Sequence, residues 1–248
     1  MPGVLIVTGA GRGIGAACAR AGGSLGYKVC VNYNKSASRA VAVAADIVKA
    51  GGKAITVEAD IATEAGVKSL FETVDRNLGT VTALVNNAGT ILAQSRVEDC
   101  EGAALESLFK SNVISQFLCA REAIRRMSKK RGGAGGAIVN ISSNLSRLGA
   151  PGQFVSYAAT KGAIDTFTFG LAIEVAGEGI RVNAVRPGTI DTELHALGGD
   201  PQRARRMGNT IPIGRAGTPE EIADAVMWLL SDTASYVAGA IVDVGGAR

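Results

Sequence analysis

Short apolar runs alternate with longer amphipathic stretches along the whole of this 248-residue chain. Runs with strand character lie near 4–8, 28–33, 53–57, 82–86, 136–141, 180–185 and 240–243. The first, Val4-Leu5-Ile6-Val7, is continuously apolar, as a strand buried on both faces must be. Helical patterns fall near 13–26, 36–50, 63–78, 101–130, 155–176, 193–208 and 219–230. This alternation predicts an α/β fold: one doubly wound parallel sheet of about seven strands with helices on both faces. Crossovers are then right-handed, and a ligand belongs in the crevice outside the carboxyl ends of the strands. No repeat or linker divides the chain, so a single domain spanning 1–248 is expected. Gly132-Gly133-Ala134-Gly135-Gly136 reads as a short helix-to-strand loop. Two helical stretches are apolar on more than one face, through Leu105, Leu108, Phe109, Phe117 and Leu118, and through Ile164, Phe167, Phe169, Leu171 and Ile173. Such helices need a second burial surface.

Composition narrows the class of function. Basic residues exceed acidic ones by four, 26 against 22, an excess too mild to demand a nucleic-acid partner. No apolar run approaches the roughly 20 residues that span a bilayer, so no membrane partner is expected. The chain opens directly on a strand and a glycine loop, which leaves no room for a signal peptide. Cys18, Cys30, Cys100 and Cys119 stand apart in apolar surroundings and read as thiols of a reducing, cytoplasmic compartment. His195 is the one histidine, so a histidine-based triad or a metal site is not expected.

The chemistry is concentrated in two places. Tyr157 and Lys161 stand four residues apart in a helical stretch, with Ser143 upstream. Residues so spaced share a helix face. An ammonium beside a phenol favours phenolate and lowers its pKa, which suits the phenol to acid–base work. A serine hydroxyl nearby steadies a carbonyl oxygen as charge builds on it. The first strand then leads into Thr8-Gly9-Ala10-Gly11-Arg12-Gly13-Ile14-Gly15 and a helix. Strand, glycine turn and helix together make a site for a dinucleotide pyrophosphate.

These pieces, with Asp60, Asn86-Asn87-Ala88-Gly89, Asn112 and Arg186-Pro-Gly-Thr-Ile-Asp-Thr192, occur in an order that resembles the short-chain dehydrogenase/reductase family from about Val4 to Gly246. The resemblance points to the 3-oxoacyl-thioester reductase and glucose dehydrogenase branches. It implies a Rossmann-type sheet and hydride transfer between a nicotinamide cofactor and a carbonyl or secondary alcohol. Tyr157 is then the acid/base, Ser143 the carbonyl polariser, and Lys161 the partner of both phenol and nicotinamide ribose. Asn112 matches an asparagine that positions a relay water. Gly9, Arg12, Gly13, Ile14 and Gly15 hold the pyrophosphate. Asp60, with Ile61, lies at the adenine; an equal alternative for Asp60 is capping the helix near Thr63. Asn87, Ala88 and Gly89 lie beside the adenine ribose. Pro187, Gly188, Ile190 and Thr192 fix the carboxamide, and Thr192 also suits a helix N-cap.

Ser143 precedes Tyr157 by 14 residues, one more than many family members have, and Ser142 and Asn144 are the other candidates for its role. The excess is expected in the loop 152–156. Tyr33 stands where the family's NAD-selecting aspartate sits, and no carboxylate is near it in sequence. With Asn34 neutral, Arg12 and Lys35 are the candidate clamp for a 2′-phosphate, so NADP(H) is expected over NAD(H). Residues 193–216 match the family's substrate lid. Arg203, Arg205 and Arg206 there either meet an anionic substrate or are simply solvated. Arg125, Arg126, Lys129, Lys130 and Arg131 either complement a helix dipole or dock an acidic acyl carrier protein. The resemblance also implies a homotetramer, with a dimer as the fallback. A non-catalytic NADP sensor and a cofactor-retaining lyase or epimerase are the competing functions.

Overall fold

The computed structural model describes residues 3–248; Met1 and Pro2 lie outside the described residues, so the expected domain 1–248 is seen without them. Seven strands form one sheet: β1 (Val4–Val7), β2 (Lys28–Tyr33), β3 (Lys53–Glu58), β4 (Val81–Asn86), β5 (Gly136–Ile141), β6 (Ile180–Pro187) and β7 (Ile241–Val244). Their spatial order is β3-β2-β1-β4-β5-β6-β7, and every pairing is parallel. Strand order reverses between β1 and β4, so a crevice opens at their carboxyl ends.

The helices are α1 (Gly13–Ser24), α2 (Ala37–Lys49), α3 (Glu64–Asn77), α4 (Gly102–Phe109), α5 (Ser115–Met127), α6 (Leu145–Leu148), α7 (Val155–Val175), α8 (Leu194–Leu197), α9 (Arg203–Gly208) and α10 (Pro219–Leu230). Because side chains alternate across a strand, neighbouring residues feed opposite layers. Leu5, Val7, Val29, Val31, Val85, Val139 and Val185 pack with α1, α2 and α10. Ile6, Cys30, Leu84, Ile138 and Val182 pack with α3, α5 and α7. Local signals set the helix starts: Thr63 caps α3 by accepting from Gly66 N–H, and Thr218 with Glu221 closes a capping box before Pro219.

Two expected helices are broken. The stretch 101–130 is interrupted by a π turn at Lys110–Ile114 between α4 and α5. The stretch 193–208 divides into α8 and α9, because Gly198, Gly199 and Pro201 resist helix between them. Phe117 stacks on Phe167 at 3.8 Å. Phe109, Phe169 and Ile173 remain exposed, Ile173 by 68%. Cys18, Cys30 and Cys119 are buried, and burial raises all three thiols, Cys18 to about 12. Cys100 is half-buried, with Sγ donating to the carbonyl of Arg96. Among the described residues no helix is long and apolar enough to cross a membrane, and no cluster of His, Cys, Asp and Glu has metal-binding geometry.

Candidate active site

The glycine loop is pinned from three sides. Asn32, a buried polar residue within apolar β2, accepts from Gly9 N–H at 3.3 Å and donates to the carbonyls of Val57 and Ala59. Thr8 Oγ1 accepts from the N–H groups of Asn87 and Ala88, both at 3.0 Å. Asn87 Nδ2 returns to the carbonyls of Thr8 and Gly9. Gly9 has φ +62°, in the left-handed region. A Cβ on Gly15 would lie 2.4 Å from Asn87 Nδ2 and 2.6 Å from the carbonyl oxygen of Gly9. Only glycine fits there. Arg12 precedes α1 without capping it through its side chain, so the first-turn N–H groups of α1 remain available. They border a groove of about 220 Å³ lined by Gly9, Arg12, Gly13, Ile14, Asn87 and Thr192, among others. Free N–H donors and a glycine floor suit a pyrophosphate.

At the adenosine end the geometry departs from expectation. Glu58 stands level with Tyr33 across the β2–β3 pairing, and the Tyr33 hydroxyl donates to it at 3.4 Å. A carboxylate is therefore near Tyr33 after all, brought by a strand 25 residues away. Asn34 and Lys35 are exposed. Arg39, on α2, joins Arg12 at the Glu193 carboxylate, Arg12 at 3.2 Å. These two guanidinium groups hold Glu193 well below the usual carboxylate range. Asp60 makes a local turn to Ala62 N–H at 3.0 Å, and the capping role suggested for it belongs to Thr63. The side chain of Ile61 is buried in the core. The residue before α8 is Glu193, so Thr192 does not cap it.

Tyr157, Lys161 and Ser143 meet where β5 ends against α7, and all three are buried. They line a cavity of about 100 Å³ with Ile14, Asn87 and Thr192, residues that also line the glycine-loop groove. Of the three candidates, Ser142 is committed elsewhere, donating to Asp165 Oδ1 at 2.6 Å. Asn144 donates its N–H to the carbonyl of Pro187. Ser143 accepts from Leu145 N–H at 3.2 Å and interacts with the Tyr157 phenol. The chain between them turns through left-handed Gly149, Ala150 and Gly152.

The phenol is not acidified as the sequence suggested. Burial pushes it up to about 12, and the interaction with Ser143 opposes this only in part. Lys161 is itself pushed down to about 8 by burial, against an opposing pull from Asp165. Its Nζ is turned onto the Ile141 carbonyl at 2.7 Å and lies 5.6 Å from the Tyr157 ring centroid. Desolvation is the larger influence on both groups.

Asn112 lies in the π turn, fully buried. Its Oδ1 accepts from Thr90 N–H at 2.7 Å, and its Nδ2 donates to the Thr90 carbonyl and to Thr160 Oγ1. The side chain is thus a clamp between β4's exit and α7. A Cβ on Gly89 would lie 3.2 Å from Asn112 Oδ1 and 3.8 Å from Lys161 Nζ, which places the clamp beside the lysine. Pro187, Gly188, Ile190 and Thr192 line the far wall with His195, whose Nε2 is 2.8 Å from the Ile190 carbonyl.

The basic clusters are largely neutralised at home. Arg125 and Arg126 pair with Glu122, Arg126 also with Asp75, and Lys130 with Glu178. Arg206 pairs with Asp200, while Arg203 bonds Gln153 and covers the Phe154 ring.

Known proteins match this chain along its whole length. Residues 9–246 match the family model described as enoyl-(acyl carrier protein) reductase. An uncharacterized oxidoreductase, YgfF of Escherichia coli (strain K12), is 50% identical over 245 residues, covering 99% of both chains. The 3-oxoacyl-[acyl-carrier-protein] reductase of Synechocystis sp. is 37% identical, covering 98% of this chain and 95% of that protein. A crystal structure of a dehydrogenase/reductase from Sinorhizobium meliloti 1021 superposes with a TM-score of 0.90 at 32% identity, covering 99% of this chain and 94% of that one. With its fold and its full-length relatives in agreement, the chain belongs to the short-chain dehydrogenase/reductase family of oxidoreductases.

Proposed function

We propose that this protein reduces a carbonyl compound, or oxidises the matching secondary alcohol, with NADP(H) as the hydride partner. One observation carries this: the cavity holding Ser143, Tyr157 and Lys161 runs into the glycine-loop groove through shared walls. A nicotinamide cofactor laid along the groove supplies or accepts the hydride. Ser143 donates a hydrogen bond to the substrate oxygen. Tyr157 gives its proton to that oxygen in reduction and takes it back in oxidation. A phenol near 12 still surrenders a proton to an alkoxide, which is far more basic. Lys161 in its ammonium form stabilises the phenolate left behind and holds the ribose hydroxyls. Asn112 keeps the π turn beside Lys161, where a relay water restores the proton.

Arg12 and Arg39 support NADP(H), since both reach one anion, the Glu193 carboxylate, at the mouth of the groove. Residues 193–216 serve as the lid of a single domain. The exposed apolar side chains of Phe109, Phe117, Phe169 and Ile173 support assembly into a homotetramer, or at least a dimer. The thiols suit the cytoplasm. A 3-oxoacyl thioester and a sugar are the first substrates to test. The experiment is an NADPH and NADH oxidation screen against acetoacetyl thioesters, sugars and diketones, run beside Tyr157→Phe. Turnover that survives in Tyr157→Phe refutes the catalytic assignment. Equal weakening of NADPH and NADH by Arg12→Ala refutes the cofactor preference.

A further inference from the structure

Behind the catalytic group lies a buried ion pair that the chemistry above does not use. Arg186, near the carboxyl end of β6, donates from Nε and Nη2 to Asp165 Oδ2 at 3.0 and 2.8 Å. The other carboxylate oxygen accepts from Ser142 Oγ at 2.6 Å. Ser142 also lies 3.2 Å from the carbonyl oxygen of Lys161. Only 16% of the arginine side chain and 11% of the aspartate side chain are exposed. The chain of charges continues outward through Asp243 to Arg147, at 3.7 and 3.1 Å.

Tyr157, Lys161 and Asp165 follow one another at four-residue steps along α7. Phenol, ammonium and carboxylate therefore form one stripe of the helix. Elements packed on α7 bring few other charges. Glu106 of α4 and Lys110 of the π turn are exposed. Arg181 of β6 is occupied by the carbonyls of Leu229, Leu230 and Ser231. Arg147 of α6 and Asp243 of β7 belong to the chain just described. As a mere brace, a buried ion pair is no better than apolar residues of the same volume. What apolar residues cannot supply is a negative charge beside Lys161.

We propose that Asp165 is a positioning residue for the reaction: its carboxylate, aimed by Arg186 and Ser142, is the counter-charge that keeps Lys161 an ammonium at neutral pH. This rests on the catalytic assignment of Lys161. Burial drives Lys161 toward the neutral amine, and Asp165 is the charge that opposes it. Arg186 tempers the field of Asp165, so Lys161 titrates within reach of neutrality instead of being locked in one state.

Competitive acetylation of Lys161 by acetic anhydride tests this on the whole protein without cofactor or substrate. Labelling of the Lys161 peptide is followed by mass spectrometry from about pH 6 to about pH 11. Asp165→Asn keeps the shape and loses the charge, and its midpoint falls by about one pH unit. Arg186→Met frees the carboxylate from its neutralising partner, and its midpoint rises by about the same amount. Where either single change fails to fold, Asp165→Asn with Arg186→Met leaves no lone buried charge. Its midpoint falls below wild type, since Asp165 is the charge that acts on Lys161. Equal midpoints in wild type and Asp165→Asn, or in wild type and the double variant, overturn the inference, as does a fall in Arg186→Met. A purely structural pair lowers the unfolding temperature and leaves the titration unmoved. An active Tyr157→Phe protein instead sinks the catalytic assignment while leaving the titration result standing.

Discussion

Replacing Lys161 with methionine abolishes turnover and yet stabilises the fold at neutral pH. The lysine is 3% exposed and pushed from its ordinary 10.5 down to about 8. Between those values the unfolded chain binds more protons than the folded one, so stability rises with pH across this window. Below it the native state bears the whole cost of a buried ammonium, on the order of 3 kcal/mol. Methionine is similar in length and carries no charge. Its one loss is the bond to the Ile141 carbonyl at 2.7 Å, whose removal costs about 1–2 kcal/mol. The net gain at pH 7 is about 1–2 kcal/mol, or roughly 2–6 °C in unfolding temperature for a chain of this length. Melting curves at one protein concentration, from about pH 7 to about pH 10.5, measure it. The advantage of the variant shrinks steadily as pH rises. A less stable Lys161→Met protein at pH 7, or a gain that does not change with pH, refutes the account of the lysine as a desolvated ammonium.

Three further outcomes follow from other parts of the molecule. Glu193→Gln removes the carboxylate that occupies Arg12 and Arg39; these are exposed pairs worth about 0.5–1 kcal/mol each, so NADPH binds roughly 5–30-fold tighter in a fluorescence titration while NADH changes little. Asn140→Ala cuts the buried ladder from Asn86 through Asn140 to Thr168; Asn86 and Thr168 keep their bonds to the carbonyls of Gln116 and Ile164, so the two lost bonds cost about 1–3 kcal/mol, read as a fall in the urea midpoint. Phe169→Asp places a charge in the exposed apolar face and reduces the sedimentation coefficient to that of a smaller assembly; an unchanged coefficient refutes that face as an interface.

The sheet was legible because its signals are local. Val4–Val7 and its counterparts are runs of apolar residues with turn residues on either side, and all seven became strands. The glycine loop and the Tyr157–Lys161 spacing were legible for the same reason. What escaped was carried by partners distant in the chain. Glu58 meets Tyr33 only through strand pairing. Arg12 and Glu193 are 181 residues apart, and Arg39 joins them from a helix face that reads as ordinary solvated surface. The π turn differs from α-helix by one residue in its bonding, too little to disturb an apolar pattern. The acidity of Tyr157 was misjudged because spacing reveals which groups are neighbours but not how much water they have lost. The Asn at position 32, polar within Val-Cys-Val, was the one sequence sign of the residue that fastens the loop.

The uneven burial of the thiols has a practical use. Three of them are sealed in the core and resist alkylation, whereas Cys100 is partly open. Neighbouring Ser95 hydrogen-bonds through its N–H to Gln153, which in turn holds Arg203 of α9. A maleimide dye therefore attaches at one native position, without mutagenesis, close to the residues that hold Arg203 of α9, and its emission reports on the surroundings of that helix.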